Sequence, residues 1–218
     1  MGGDNDKLLW QLRDRPVVAW SVLALDSCPL VESITVVASE HNLEDLATVL
    51  DQLPTSLPLE LTLGGARRQD SVARAVEHMA AAAPEMVVVH DGARPLVSSD
   101  LLVRVIEAAT EHGAATAALP LRNACKEIDE AGFVRRSIER ASLVAIQTPQ
   151  AFRFDVLRRA HEEGRRQGAV VDDDAELVER LGLPVKVVDG DYRNIKITTT
   201  YDLPVLEAHV QAITADAG

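Results

Sequence analysis

The stretch that most limits what this chain can fold into runs Pro84-Glu85-Met86-Val87-Val88-Val89-His90-Asp91-Gly92-Ala93-Arg94-Pro95. Met86 to Val89 form an unbroken apolar, mostly β-branched run with a proline before it and a glycine after. A strand reads this way when both of its faces are covered, as in a parallel sheet under helices. His90, Asp91 and Arg94 crowd charge onto the strand's exit, and Pro95 closes the turn. In open α/β sheets, ligands sit in the crevice beyond the carboxyl ends of the strands. An aspartate there can hold a hard divalent cation, and an arginine beside it can fork onto a phosphate. A capped loop in which Asp91 and Arg94 only pair with each other satisfies the same residues.

The rest of the chain repeats this alternation. Strands are predicted at 34–38, 59–63, 114–121 and 185–188, with a return at 145–148 and a short strand at 195–197 around Lys196. Helices are predicted from Pro16 to about residue 28, over 42–53 with Asn42 as cap, and from 69 or 70 to 83. Others run from Asp100 to 112 with Ser99 as cap, over 154–166, from Asp172 to 181, and over 200–214. Such a pattern predicts an α/β fold: a mixed, mainly parallel sheet with helices on both faces. With 218 residues and 47% hydrophobic content, one core and a single domain spanning 1–218 are expected. Aromatics are only 3%, so Ala, Val and Leu must do the packing.

Three local features stand out. Gly64 and Gly65 end a strand and are followed by Arg67, Arg68, Asp70 and Ser71 at a helix start. Paired glycines and a helix N-terminus make a ready anion site, although Asp70 or Ser71 also suits an ordinary cap. From 122 to 142, charged and apolar residues alternate loosely around Asp129, Glu130 and Gly132, a hairpin signal. A two-stranded arm is marginal alone, so it is expected to pack on a partner subunit, giving a homodimer. Finally, residues 1–7 read as a polar loop and the first helix follows with no strand before it. A doubly wound sheet starts with a strand, so one is expected to be missing ahead of Met1, leaving a bare sheet edge in mid-fold.

The net charge of -12 and pI near 4.9 exclude bulk nucleic-acid or membrane-surface binding, while leaving room for a phosphorylated small substrate at a local basic cluster. Cys28 and Cys125 have neither metal spacing nor a disulfide framework and read as small buried hydrophobes. No signal peptide or membrane-spanning run is present in the sequence, and a soluble, cytoplasmic protein is expected.

Taken in order, eight motifs resemble the 2-C-methyl-D-erythritol 4-phosphate cytidylyltransferases. They are Asp6-Lys7, Gly64-Gly65 through Asp70-Ser71-Val72, His90 through Pro95, Leu119-Pro120-Leu121 with Lys126, Arg140, Gln147-Thr148-Pro149-Gln150, Asp173 with Ala175, and Asn194-Ile195-Lys196-Ile197-Thr198. The resemblance implies a Rossmann-like nucleotidyltransferase fold and a reaction of CTP with a polyol phosphate in non-mevalonate isoprenoid synthesis. It implies that Gly65, Arg68 and Ser71 line the cytidine and ribose pocket, and that Asp91 faces Mg²⁺ and the triphosphate. Arg94, Thr148 and Lys196 would surround the methylerythritol phosphate, and Arg140 would reach it from the other subunit. Lys7 and Lys196 would stabilise the transition state at the α-phosphorus.

This chain departs from the family in three ways. The family's opening strand and glycine-rich, arginine-bearing loop would precede Met1, which implies impaired CTP binding. Asn123-Ala124 stands where the family usually carries Asp-Thr, and Ala66 replaces a common polar residue. Two alternatives follow: a cytidylyltransferase for another polyol phosphate such as ribitol 5-phosphate, or an inactive nucleotide-binding homologue. Ala93 weighs modestly against the first, and retained Lys7, Asp91, Arg94, Arg140 and Lys196 weigh against the second.

Overall fold

A computed structural model describes residues 6–216. A small antiparallel hairpin, β1 (Gln11–Leu12) with β2 (Arg15–Pro16), was not expected and leads into α1 (Val17–Asp26). The helix starts after Pro16, whose fixed φ of -61° suits a helix entrance. Next come β3 (Ile34–Ala38), α2 (Leu43–Asp51), β4 (Leu59–Leu63), α3 (Arg68–His78), β5 (Met86–Val89), α4 (Ser99–His112) and β6 (Ala114–Pro120). The arm follows as β7 (Cys125–Ile128) and β8 (Val134–Ile138), then β9 (Val144–Arg153), α5 (Phe154–Gln167), α6 (Asp174–Arg180), β10 (Lys186–Asp189) and α7 (Asp202–Asp216).

The larger sheet has the order β10-β6-β9-β5, and β3 pairs with β4 separately and in parallel. Strand β10 is parallel to β6, while β9 is antiparallel to both β6 and β5, so three strands run together and β9 alone opposes them. Alternate residues divide the core. Ala115, Ala117 and Ala151 face Leu101, Leu102 and Val105 of α4, whereas Ala114 and Phe152 face Leu157 of α5 and Leu177 of α6. Fully burying a side chain such as Phe152 or Leu157 stabilises by about 1.5–3 kcal/mol. Small alanines on the sheet let the helices approach closely, as the low aromatic content required. Cys28 is buried in this core, as expected, whereas Cys125, on the two-stranded arm, is only half-buried.

Several local expectations need correction. The return strand does not stop at Thr148 but runs on through Pro149 to Arg153. A shift of register opposite Thr116 and Ala118 accommodates the residue that cannot donate to the ladder. Residues 195–197 belong to no strand; they are held by one backbone bond, Ile197 N–H to Ala93 C=O at 2.8 Å. Asn42 does not cap α2 with its side chain, because Oδ1 instead accepts from the Ser39 N–H and hydroxyl. Ser98, not Ser99, caps α4.

Strand β5 and the β3–β4 pair do not hydrogen-bond to each other. Between them runs a cavity of about 950 Å³, bordered by both strands and by α1, α3 and α4. Among the described residues, no helix is long and apolar enough to cross a membrane.

Candidate active site

The exit of β5 carries Asp91 into the crevice, and its N–H donates to the Thr148 hydroxyl at 3.0 Å. Its carboxylate accepts from Arg68 Nε at 3.1 Å and from Lys196 Nζ at 2.8 Å. Arg94 Nε lies 3.6 Å away, close enough for an ion pair and too far for a hydrogen bond. Each cation arrives on a different element. Arg68 opens α3, Arg94 sits on the loop after β5, and Lys196 lies in the segment that Ile197 pins to the Ala93 carbonyl. These side chains and Thr148 line one cavity of about 320 Å³, with Asp172 and Asp173 at its edge. The cavity gathers three cations, Arg68, Arg94 and Lys196, with three acids, Asp91, Asp172 and Asp173, in a chain whose formal charge is -12. The clustered cations give an anion partners there.

A buried polar scaffold holds the loops in place. Arg94 Nη1 donates to the Asn194 carbonyl at 2.8 Å, and Asn194 Nδ2 donates to the Thr148 carbonyl at 2.7 Å. Gln147 Nε2 donates to the carbonyls of Asp191 and Asn194 at 3.1 and 3.2 Å. Gln150 accepts from the Ala175 N–H at 3.2 Å and so ties α6 to β9. Behind Arg68 lies Asp174, fully buried, whose Oδ2 accepts from Arg68 Nη1 at 2.8 Å while Oδ1 meets His161 Nε2 at 3.1 Å.

Sequence reasoning missed Asp174 as a site residue, since Asp172, Asp173 and Asp174 read together as helix-start acids. Asp173 alone does that work, accepting from the Glu176 N–H at 3.0 Å. The available signal was spacing: Asp174 shares a helix face with the buried Leu177 and Val178, three and four residues on.

Burial opposes the charge on Asp91, but the Lys196 and Arg68 contacts outweigh it and hold the carboxyl at about 2. Asp91 is therefore ionised at neutral pH. Desolvation also opposes the Arg68 charge, and the Asp174 and Asp91 carboxylates raise its pKa regardless. Burial lowers the pKa of Arg94. The imidazole of His90, with Nε2 on the Arg94 carbonyl and Nδ1 buried without a partner, is pushed by burial from 6.5 to about 4.

This gives a pH expectation. Between pH 6.5 and 4, the unfolded chain binds a proton at His90 that the folded chain refuses, so stability falls as pH falls. Asp91 extends the loss, from the ordinary 3.8 down to about 2. Urea unfolding at pH 7 and pH 4.5 should show the drop, with His90 supplying up to about 3 kcal/mol of it. His90→Gln, which keeps a donor for the Arg94 carbonyl, should lose that share. An equal drop in the variant would exclude His90 as the cause.

The remaining sequence-predicted residues lie elsewhere. The Gly65 N–H donates to Ser71 Oγ at 3.1 Å, and an added Cβ at Gly65 would come within 2.4 Å of the Asp70 side chain, so glycine is required there. Ser71 and Arg68 both border the longer cavity beside β5. Lys7 is half-buried in the turn before β1; among the described residues, no hydrogen bond or ion pair joins it to Asp91. Arg140 is exposed at the foot of the arm, donating to the Arg122 carbonyl of its own chain. The structure thus brings together Arg68, Asp91, Arg94, Thr148 and Lys196, and does not bring Lys7 or Arg140 to them.

A family model described as 2-C-methyl-D-erythritol 4-phosphate cytidylyltransferase matches residues 1–212. A protein of that name from Pelotomaculum thermopropionicum is 42% identical over 215 residues, covering 97% of this chain and 89% of that one. One from Nostoc sp. is 37% identical over 207 residues, covering 95% and 90%. The crystal structure of the Thermus thermophilus enzyme superposes with a TM-score of 0.79 at 35% identity, covering 94% of each chain. The 4-diphosphocytidyl-2C-methyl-D-erythritol synthase of Anaerococcus prevotii gives 0.83 at 27%, covering 92% and 88%. With agreement in sequence and fold along nearly its whole length, this chain belongs to the 2-C-methyl-D-erythritol 4-phosphate cytidylyltransferase family.

Proposed function

We propose that this protein joins CTP to 2-C-methyl-D-erythritol 4-phosphate, giving 4-diphosphocytidyl-2-C-methyl-D-erythritol and pyrophosphate, in the cytoplasm where its nucleotide is made. The observation that carries the reading is the set of three cations, Arg68, Arg94 and Lys196, converging on Asp91 at the exit of β5.

The reaction needs little covalent help from the protein. An oxygen of the substrate's phosphate, already ionised at neutral pH, attacks the α-phosphorus of CTP. The bond from that phosphorus to the bridging oxygen breaks, and its electron pair leaves with pyrophosphate. The obstacle is bringing two anions together, so fixed cations must screen both and the charge growing on the equatorial oxygens. Arg94, with one guanidinium edge anchored on the Asn194 carbonyl, is pre-set to grip a phosphate. Lys196, a point charge on a flexible stem, moves from Asp91 onto the reacting phosphates. Gly65, Arg68 and Ser71 receive the nucleotide, Thr148 keeps its hydroxyl proton to donate to substrate, and Lys7 adds positive charge from the turn before β1.

The donor chemistry of Asp91 fits Mg²⁺: it is ionised, and Mg²⁺ takes one or two carboxylates plus substrate phosphates and waters. No group of three or more acidic, His or Cys ligands occurs among the described residues, which suits a metal held largely by the nucleotide. When bound, Mg²⁺ supplies charge neutralisation to the departing pyrophosphate. The arm exposes Phe133, Val134 and Ile128 by 72, 61 and 59%, an apolar surface that suits a homodimer in which Arg140 reaches the partner's substrate.

Pyrophosphate release from CTP, assayed with each sugar phosphate and Mg²⁺, tests the reading. Release with the methylerythritol phosphate, at least about tenfold faster than with ribitol 5-phosphate, is expected. Preference for ribitol 5-phosphate, or CTP binding without release, would overturn it.

A further inference from the structure

A ladder of polar contacts runs from the core out to the crevice. His161 lies on the buried face of α5 with Leu157, Ala160 and Gly164, and its side chain is only 4% exposed. Its Nε2 meets Asp174 Oδ1 at 3.1 Å, and Asp174 Oδ2 accepts from Arg68 Nη1 at 2.8 Å. Arg68 Nε then donates to Asp91 Oδ1 at 3.1 Å, and Lys196 Nζ reaches Asp91 Oδ2 at 2.8 Å. Each of the four carboxylate oxygens thus has a donor of its own. A carboxylate only accepts, so the imidazole donates to Asp174 from Nε2.

The helices that carry this ladder are held together without His161. A Cβ on Gly164 would come within 2.7 Å of Leu177 Cδ2, so glycine lets α5 approach α6 closely one turn beyond His161 and Asp174. Gln69, the neighbour of Arg68, donates from Nε2 to the Ala169 carbonyl at 3.1 Å and accepts from the Val171 N–H at 3.3 Å. That clasp fixes the connection between α5 and α6 to the first turn of α3.

What remains for His161 is the orientation of a carboxylate. The terminal torsion of an aspartate is broad, so one contact leaves the Asp174 carboxylate free to rotate, and a second on its other oxygen stops it. A fixed Asp174 in turn sets the plane of the Arg68 guanidinium, which meets one carboxylate through Nη1 and the other through Nε. The Asp91 carboxylate, at the mouth of the crevice, takes its orientation from Arg68.

We propose that His161 is a positioning residue for the transfer reaction, acting through Asp174 and Arg68 on the Asp91 carboxylate. The proposal rests on the reading of Asp91 and Arg68 as site residues given above. Touching neither substrate, His161 affects the rate only through the placement of groups that do, and small misplacements at a reacting centre cost up to about 10²-fold.

Three variants test this: His161→Leu, His161→Gln and His161→Leu combined with Asp174→Leu, each measured where circular dichroism shows it folded. The first measurement needs no turnover. By NMR, the Arg68 Nε–H should exchange with water at least about tenfold faster in His161→Leu than in the parent, and at close to the parental rate in His161→Gln, whose amide still donates. In pyrophosphate release, His161→Leu should lower kcat at least about tenfold with little change in KM for CTP, and His161→Gln should recover most of the loss. The double variant replaces a buried polar pair by apolar side chains, so its Tm should be at or above that of His161→Leu while kcat stays low. Should His161→Leu fail to fold, His161→Asn, polar but too short to reach Asp174, takes its place. Unchanged Arg68 exchange, parental kcat in the folded single variant, or a kcat that returns with Tm in the double variant would each overturn the proposal. A parent that releases no pyrophosphate from CTP overturns the proposed reaction instead, and the exchange rates then decide the role of His161.

Discussion

Lys196→Ala is expected to lower kcat for CTP-dependent pyrophosphate release by about 10²–10³-fold, with the fold retained, from the loss of one preorganised charge at a reacting centre. The structure favours a catalytic loss over unfolding. Lys196 is 36% exposed, and without it Asp91 still holds Arg68 and the nearby Arg94. The split between parameters is informative. A charge that acts mainly in the transition state lowers kcat and kcat/KM together, whereas one that only attracts substrate raises KM and leaves kcat alone. Lys196→Arg should recover little, because a planar guanidinium cannot follow the phosphates as a single point charge does. Retention of more than a tenth of the activity in Lys196→Ala would remove Lys196 from the reacting centre.

The second large effect is expected at Asp174. Its side chain is 1% exposed and is shared between Arg68 and the buried His161. Asp174→Leu preserves volume but leaves His161 Nε2 and one edge of Arg68 without a partner. Breaking a buried pair costs about 3–5 kcal/mol, and Arg68 is a third exposed and keeps Asp91, so about 3 kcal/mol is expected. For a chain of 218 residues that corresponds to a fall in Tm of roughly 6–12 °C. Activity should fall as well, since Arg68 loses the carboxylate that fixes its far edge. Calorimetry of Asp174→Leu, Arg68→Ala and the double variant separates the two roles through the coupling energy of the cycle. Additive losses in stability would show that the pair is not coupled, and a Tm within about 2 °C of the parent would exclude Asp174 as an anchor.

Much of this site was legible before any coordinates, for identifiable reasons. Asp91 and Arg94 follow an apolar run that can only be a covered strand, so strand polarity alone places them at a ligand-bearing edge. Arg68 opens a helix behind paired glycines, a local signal as well. Lys196 rested on resemblance, because the segment around it is not a strand and its position depends on one bond from Ile197 to Ala93. Pro149 hid the full length of β9. A proline argues for a strand end unless a bulge absorbs it, and the irregularity shows only in the pairing, where Ile146 to Gln150 of β9 oppose Thr116 to Ala118 of β6.

By itself the sequence determined the alternation of strands and helices, the arm, and the charged exit of β5, because each follows from periodicity, turn residues and the reach of near neighbours. Tertiary structure alone decided that β9 opposes its neighbours and that Asp174 and not Asp173 turns inward. An acid at a helix start is stable either in water as a cap or in the core beside a cation. Only the arrival of Arg68 and His161 from distant parts of the chain makes burial the lower free energy.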